Sequence, residues 1–180
     1  PTLFKNISVR IGKQKIMFDN QRLFAQNDWR QNAGTHDGAR LMYKNKKLEV
    51  DLIGAFNQEE SAQERFFETD YSPGFSYYKI LLTNFILYKP TDKLTFSIIN
   101  TSDDFQDPID KRVTNYRYTN GGRVEFTQKK LYATIAAYYQ HGRTAAGKPL
   151  SAYYYQPEIK YIFPKIITLR LGAEVFSGDD

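Results

Sequence analysis

The chain has 180 residues, of which 41% are hydrophobic and 16% aromatic, including 14 tyrosines. This length is enough for one domain with a sizeable core, and the aromatic content favours strands over helix bundles. The absence of cysteine excludes a disulfide framework, a thiolate metal site and a cysteine nucleophile. The net charge of +5 comes from 25 basic and 20 acidic residues, which are interleaved, so a nucleic-acid-binding tail is not expected.

In the first half of the chain, apolar and polar residues alternate with a period of two, the pattern of strands with one apolar face. Leu48, Val50 and Leu52, for example, alternate with Glu49 and Asp51. The fourth segment is apolar on both faces, so its orientation stays open. This pattern predicts strands at about residues 6–18, 38–43, 48–57, 77–88 and 94–101.

The second half repeats the pattern, at about residues 116–126, 131–142, 155–161 and 167–175. In the last of these, Leu169 and Leu171 lie opposite Thr168, Arg170 and Gly172. Polar groups on that face need water or hydrogen-bonding partners, whereas the other face needs an apolar neighbour. The sequence therefore predicts an all-β, antiparallel fold of about nine strands.

The predicted connectors alternate in length along the chain. Short turns fall at residues 44–47, 89–93, 128–130 and 163–165, and longer loops lie between the other strand pairs, including an acidic loop at residues 102–111. Outer-membrane barrels have this asymmetry, with tight turns at one rim and longer loops at the other. Aromatic residues at both strand ends are typical of interfacial belts. A soluble barrel or sandwich with an ordinary core is the alternative.

We therefore predict an antiparallel transmembrane β-barrel, with residues 1–180 as a single barrel domain. The longest apolar stretch, Ile80 to Tyr88, is interrupted by Thr83 and Asn84 and is too short for a membrane-spanning helix. A membrane-crossing strand needs only about 10 residues with one apolar face. Because no leader precedes Pro1 and the last residues read like a loop, we expect a fragment that lacks N- and C-terminal strands of a larger barrel.

Several short motifs carry a resemblance to a known family. The dense part lies between residues 10 and 41, and further pieces lie at the end of the seventh strand and after the ninth. In order, the motifs are Arg10-Ile11-Gly12-Lys13-Gln14, Phe18-Asp19-Asn20-Gln21-Arg22-Leu23, Asn27-Asp28-Trp29-Arg30-Gln31, Asp37-Gly38-Ala39-Arg40-Leu41, Tyr139-Gln140-His141-Gly142 and Phe176-Ser177-Gly178-Asp179-Asp180. In order and spacing they resemble the alginate export porin family of bacterial outer membranes. The resemblance implies a large single-chain barrel that passes anionic uronate polysaccharide through a lumen lined with arginine and lysine.

The polar faces of the predicted strands carry the candidate pore-lining residues. Guanidinium groups pair with carboxylates bidentately, so a row of them could pass a polyanion from site to site. The same face holds Glu49, Asp51, Glu125, Glu158 and Glu174, and cross-strand ladders of these acids with the basic residues are the equally weighted alternative. The basic candidates are Arg10, Arg40, Arg117, Arg123, Lys160 and Arg170.

The first connector adds Arg22, Trp29 and Arg30 to the candidate substrate-binding residues. It could fold into the lumen as a constriction, with Trp29 stacking on a sugar face. In the alternative interpretation, which is slightly favoured, Trp29 anchors the loop and the two arginines pair with Asp19 and Asp28.

Other functions have weaker support in the sequence. Asp103, Asp104, Asp107 and Asp110 cluster, but without the order of an EF-hand, so solvated acidity is favoured over calcium binding. His36 and His141 suggest a barrel hydrolase with a site at the outer rim, yet no nucleophile motif accompanies them. A scaffold barrel that docks in an envelope complex is a third class.

We therefore expect a non-enzymatic, cofactor-free, porin-like channel for passive passage of anionic solutes or polysaccharide. Its predicted location is the outer membrane of a Gram-negative bacterium, which it crosses many times. The expected partners are outer-membrane lipid, an anionic oligo- or polysaccharide and envelope proteins, but not nucleic acid.

Overall fold

The computed structural model describes residues 5–24, 35–57, 78–107, 110, 112–163 and 167–177. Within these residues every regular element is a strand. The strands are β1 (Ile7–Gln14), β2 (His36–Lys44), β3 (Leu48–Phe56), β4 (Ile80–Thr91), β5 (Leu94–Gln106), β6 (Thr114–Gln128), β7 (Leu131–Arg143), β8 (Pro149–Ile162), β9 (Thr168–Gly172) and β10 (Val175–Phe176).

The strands form one antiparallel sheet in which each strand from β1 to β8 pairs with its neighbours in sequence. Both β9 and β10 pair with β8. They continue a single register, since Gly172 lies opposite Glu158 and Val175 lies opposite Tyr155, so they act as one strand interrupted at residues 173–174. In the part of the chain that is described, β1 does not pair with β9 or β10, and the sheet is open. The all-β, antiparallel prediction is confirmed.

Short turns join strands at one edge of the sheet, at residues 45–47, 92–93 and 129–130. The asparagine side chain explains the first, because Asn45 Oδ1 accepts hydrogen bonds from the backbone N–H groups of Lys47 and Leu48, both at 2.8 Å. The connectors at the opposite edge include residues 15–35, 57–79 and 107–113. The connector at residues 144–148, by contrast, is as short as the one at 163–167.

Several predicted boundaries differ from the structure, and the contacts explain two of them. The first strand ends at Gln14 rather than Phe18, because the chain leaves the sheet and turns, with Asp19 and Gln21 both at positive φ and the Gln21 N–H bonded to the Phe18 carbonyl at 2.9 Å. The fifth strand continues to Gln106 through residues that were predicted to open an acidic loop. Asp103 is held there by an ion pair with Arg117 of β6.

Residues 15–24, which we call the crossing segment, lie across one face of the sheet. We call this the covered face and the other the open face. The apolar part of the packing lies between the crossing segment and the covered face, where Phe18 stacks on Phe85 with ring centroids 4.3 Å apart. Around this pair the buried apolar residues are Ile16, Phe24, Ile53, Ala55, Tyr78, Leu81, Ile99, Ala136, Tyr138 and Tyr154.

The two faces differ in an unusual way. Side chains of the covered face include buried polar residues, such as Asp51 at 1% exposure, Thr83, Ser97 and Thr119. The open face, by contrast, carries large apolar side chains that are exposed, such as Leu52 at 48%. The predicted alternation of apolar and polar residues along the strands is confirmed, and the structure shows which of the two faces is covered. The face that the sequence marks as apolar is the uncovered one.

Candidate functional site

A few residues of the crossing segment contact strands as far apart in the sheet as β2 and β8. The guanidinium of Arg40 in β2 lies over the ring of Phe18, 5.3 Å from its centroid. At the other end, Asn20 Nδ2 donates a hydrogen bond to Gln156 Oε1 of β8 at 3.2 Å. The segment is thus tied to the covered face by one aromatic stack and several polar contacts, so it narrows the space on that side of the sheet.

Arg123 lies at the centre of a charged network beneath the segment. Its Nη1 donates to Asp19 Oδ1 at 2.8 Å, and its Nη2 donates to Glu125 Oε2 and to the Tyr132 hydroxyl, both at 2.5 Å. Its Nε donates to Thr134 Oγ1 at 2.9 Å. The other oxygen of Asp19 accepts a hydrogen bond from the Ser97 hydroxyl. Arg123 and Asp19 are only 14% and 13% exposed, so dissolved salt screens the attraction between them only weakly.

A second polar group forms where the segment meets β8. Arg22 donates to the Tyr154 hydroxyl from Nε at 3.0 Å and from Nη2 at 2.6 Å, and Nη2 also pairs with Glu174. Its guanidinium lies 4.7 Å from the Tyr154 ring centroid and 5.7 Å from that of Phe176. The hydrogen bond with the Tyr154 hydroxyl raises the pKa of Arg22 above its ordinary value, so the group stays charged.

A pocket of about 220 Å³ opens beside Arg22, between the crossing segment and the strands β6 to β8 and β10. Tyr138, Tyr154 and Phe176 form one row on its sheet side, with successive ring centroids 5.9 and 4.9 Å apart. Thr119 and Gln140 form a polar row beside them, joined by a hydrogen bond of 3.0 Å from Gln140 Nε2. The pocket therefore combines aromatic rings, amide and hydroxyl groups and one cation.

Three further arginines of the predicted set are paired with carboxylates of a neighbouring strand. Arg40 Nε lies 2.6 Å from Asp51, and Arg117 pairs with Asp103 while its guanidinium lies over the Phe105 ring. Arg170 lies 2.5 Å from Glu158 on the exposed edge. These pairs are the cross-strand ladders that the sequence offered as the alternative to a free arginine track.

The other predicted residues have different surroundings. Arg10 is exposed and pairs with no carboxylate in the described residues, and it lies opposite Arg40 in the β1–β2 register. Lys160 lies over the ring of Tyr132, 4.8 Å from its centroid, and likewise lacks an ion pair within the described ranges. Trp29 and Arg30 lie outside the described residues, so their predicted role in a constriction rests on the sequence alone.

The alternative pairing predicted for the first connector is wrong for Asp19, which binds Arg123, while Asp28 lies outside the described residues. Among the described residues, Arg22 pairs with Glu174. Sequence reasoning missed the contributions of Ser97 and Tyr154, which lie on the polar faces of their strands and contact the crossing segment. The alternating pattern places both residues on the polar face, but it does not show which residue each of them contacts.

The residues proposed for catalysis or metal binding do not come together. His36 is on the covered face, with Nδ1 2.5 Å from the Tyr78 hydroxyl, whereas His141 is on the open face, with Nε2 3.2 Å from Asn120 Nδ2. Ser177 Oγ accepts a hydrogen bond from the Tyr153 N–H at 2.7 Å. Within the part of the chain that is described, no three acidic, histidine or cysteine residues form a group that could hold a metal ion.

Comparison of the chain with protein-family models, with curated proteins and with solved structures found no match. No helix among the described residues is long and apolar enough to span a membrane.

Proposed function

We propose that this chain forms part of a transmembrane antiparallel β-barrel in the outer membrane of a Gram-negative bacterium. Its proposed activity is the passive passage of anionic solutes or polysaccharide, such as uronates. The observation that carries this proposal is the distribution of apolar and polar side chains between the two faces of the sheet. Large apolar side chains are exposed on the open face, while acids, hydroxyls and guanidinium groups lie on the covered face.

The exposure of the open face favours lipid as its neighbour. Ile98, Leu82 and Leu171 are all more than half exposed, and the open face carries similar residues on every strand from β1 to β10. Leaving apolar surface in water costs about 25 cal/mol per Å², and contiguous patches of this kind mark contact with membranes or other proteins. Strands β4 to β8 have 12 to 15 residues, enough to cross a bilayer even when tilted.

The crossing segment supports a curled sheet with an aqueous interior. Residues 18 to 22 are in contact with β2, β4, β5, β6 and β8. In a flat sheet β2 and β8 would be about 29 Å apart, and the backbone step from residue 18 to residue 22 spans at most about 14 Å, so the long side chains at both ends must cover the rest. A sheet that curls around the segment brings these strands within reach. The segment then acts as the constriction of the channel.

The charges on the covered face support a modest anion preference. Five of the predicted arginines are neutralised by a carboxylate, but Arg10 and Lys160 carry no such partner within the described ranges. An excess of positive charge in a water-filled lumen with low-dielectric walls attracts anions and raises their local concentration. The resemblance of residues 10–41 to alginate export porins makes uronate oligosaccharides the first substrates to test.

Single-channel recording of the full-length protein in a planar bilayer tests this proposal. We expect discrete conductance steps, a reversal potential in a KCl gradient that shows anion preference, and block by an oligouronate but not by a neutral oligosaccharide of equal length. Replacing Arg10 and Lys160 together by glutamine should reduce the preference, while Arg112→Gln, which removes an exposed loop charge, should not. Insertion without conductance would favour the scaffold function, and cation preference would contradict the proposed selectivity.

A further inference from the structure

We infer that the pocket between the crossing segment and β6 to β8 is a binding site for a single acidic sugar ring. This inference deepens the proposed function and rests on it for the substrate class. The pocket holds about 220 Å³, the space of about seven water molecules at roughly 30 Å³ each. Pockets for drug-sized ligands run from about 300 to 1,000 Å³, so this site is matched to one ring rather than to a long segment of chain.

The aromatic row supplies the surface on which a sugar ring can lie. Tyr138 and Tyr154 stack with an interplanar angle of 30°, and the Phe176 ring continues the row onto β10. Register explains the alignment, since Tyr138 lies directly opposite Tyr154 and Tyr154 opposite Phe176. The C–H face of a pyranose is apolar, and rigid aromatic rings bury such a face at little entropic cost.

The polar groups around the row suit the edge of the same ring. Gln140 lines the pocket and donates from Nε2 to Thr119, so its carbonyl oxygen can accept a hydrogen bond from a sugar hydroxyl. Arg22 uses Nε and Nη2 for Tyr154 and Glu174, and its Nη1 donates to no described residue. A planar guanidinium pairs with a carboxylate through charge-assisted hydrogen bonds.

The ion pair of Arg22 with Glu174 gives the site its preference for an acid. Both side chains are about two-fifths exposed, at 38% and 42%, so the pair is open to exchange with a solute. A uronate carboxylate can replace Glu174 at the guanidinium, while Tyr154 keeps the guanidinium in place through its hydroxyl. A neutral sugar can use the rings and Gln140 but gains nothing from the cation.

Calorimetric titration of the full-length protein in detergent micelles tests this site, with a triuronate and a neutral trisaccharide as probes. Arg22→Gln removes the cation, and we expect it to weaken triuronate binding by about tenfold or more, the loss expected for one charge-assisted hydrogen bond, while neutral binding is unchanged. Phe176→Leu removes a ring and should weaken both probes similarly. Arg112→Gln removes an exposed charge far from the pocket and should change neither.

Equal effects of Arg22→Gln and Arg112→Gln on triuronate binding would overturn the inference, as would wild-type protein that binds neither probe. Tyr154→Phe keeps the ring but removes the hydroxyl that holds Arg22, so it provides a second variant with little disturbance of the fold. We expect it to reduce the ratio of acidic to neutral affinity. Conductance without triuronate binding would refute the site and leave the channel standing, whereas binding without conductance would support the site and refute the channel.

Discussion

The carboxylate of Asp19 accepts a hydrogen bond from Arg123 at 2.8 Å, although the two residues are 104 positions apart in the sequence. Asp19 is at positive φ in the crossing segment, where the backbone turns its side chain toward the sheet. The contact joins the segment to β6, and Ser97 joins the same carboxylate to β5. A single side chain therefore connects the segment to the middle of the sheet.

Replacing Asp19 by asparagine should loosen the crossing segment. The variant loses the charge that pairs with Arg123, although Glu125 still neutralises the guanidinium. We expect a loss of about 1–3 kcal/mol in the free energy of unfolding, measured in urea with the protein in micelles.

If the segment is the constriction, the single-channel conductance of Asp19→Asn should also rise. Asp110→Asn, which removes an exposed loop acid, is the matched control. Unchanged conductance in Asp19→Asn would contradict the constriction.

The pair Arg40–Asp51 should matter more for stability than a nearby exposed pair of the same kind. Asp51 is 1% exposed and Arg40 12%, so Asp51→Asn leaves a guanidinium with reduced compensation in a buried place. We expect a destabilisation of about 3–5 kcal/mol for this change.

Glu49→Gln provides the comparison in the same strand. Its ion pair with Lys44 measures 2.6 Å, but the lysine is 72% exposed, so the loss should be about 1 kcal/mol or less. Urea unfolding of the two variants in parallel checks the difference. Equal losses would show that burial of the covered face is not retained in solution.

The two faces of the sheet could be predicted from the sequence, whereas the contacts of the crossing segment could not. The period of two correctly separates the two faces of β3, because alternation along a strand is a local property of the chain. The end of β1 is predicted too late, since Ile16 and Phe18 continue the apolar alternation while the backbone leaves the sheet. The partners of Asp19 and Arg22 are more than 70 residues away, and nothing in the local pattern encodes such contacts.

The direction of the two faces can be tested with a pair of adjacent residues. Ile159 is on the open face and 48% exposed, whereas Lys160 is on the covered face over Tyr132. Because the chain has no cysteine, Ile159→Cys and Lys160→Cys each accept one spin label. In lipid vesicles we expect the label at 159 to collide with dissolved oxygen and the label at 160 to collide with a water-soluble nickel chelate. Equal access of the chelate to both positions would argue against lipid at the open face.

Close backbone approach should make Gly122 of β6 intolerant of a side chain. A Cβ at this position would run into the carbonyl oxygen of Ser97 in the neighbouring strand. Gly54 of β3 is also on the open face, but a Cβ there would meet only the end of the Leu82 side chain, at 3.6 Å.

Gly122→Ala should therefore force β5 and β6 apart and destabilise the protein by about 1–3 kcal/mol, the usual cost of overpacking. Gly54→Ala should be neutral or slightly stabilising, because alanine restricts the unfolded chain more than glycine does. Urea unfolding in micelles measures both changes. If Gly122→Ala proved as stable as Gly54→Ala, the close packing of β5 against β6 would be wrong, and with it the register that places Arg123 opposite Ser97 and under Asp19.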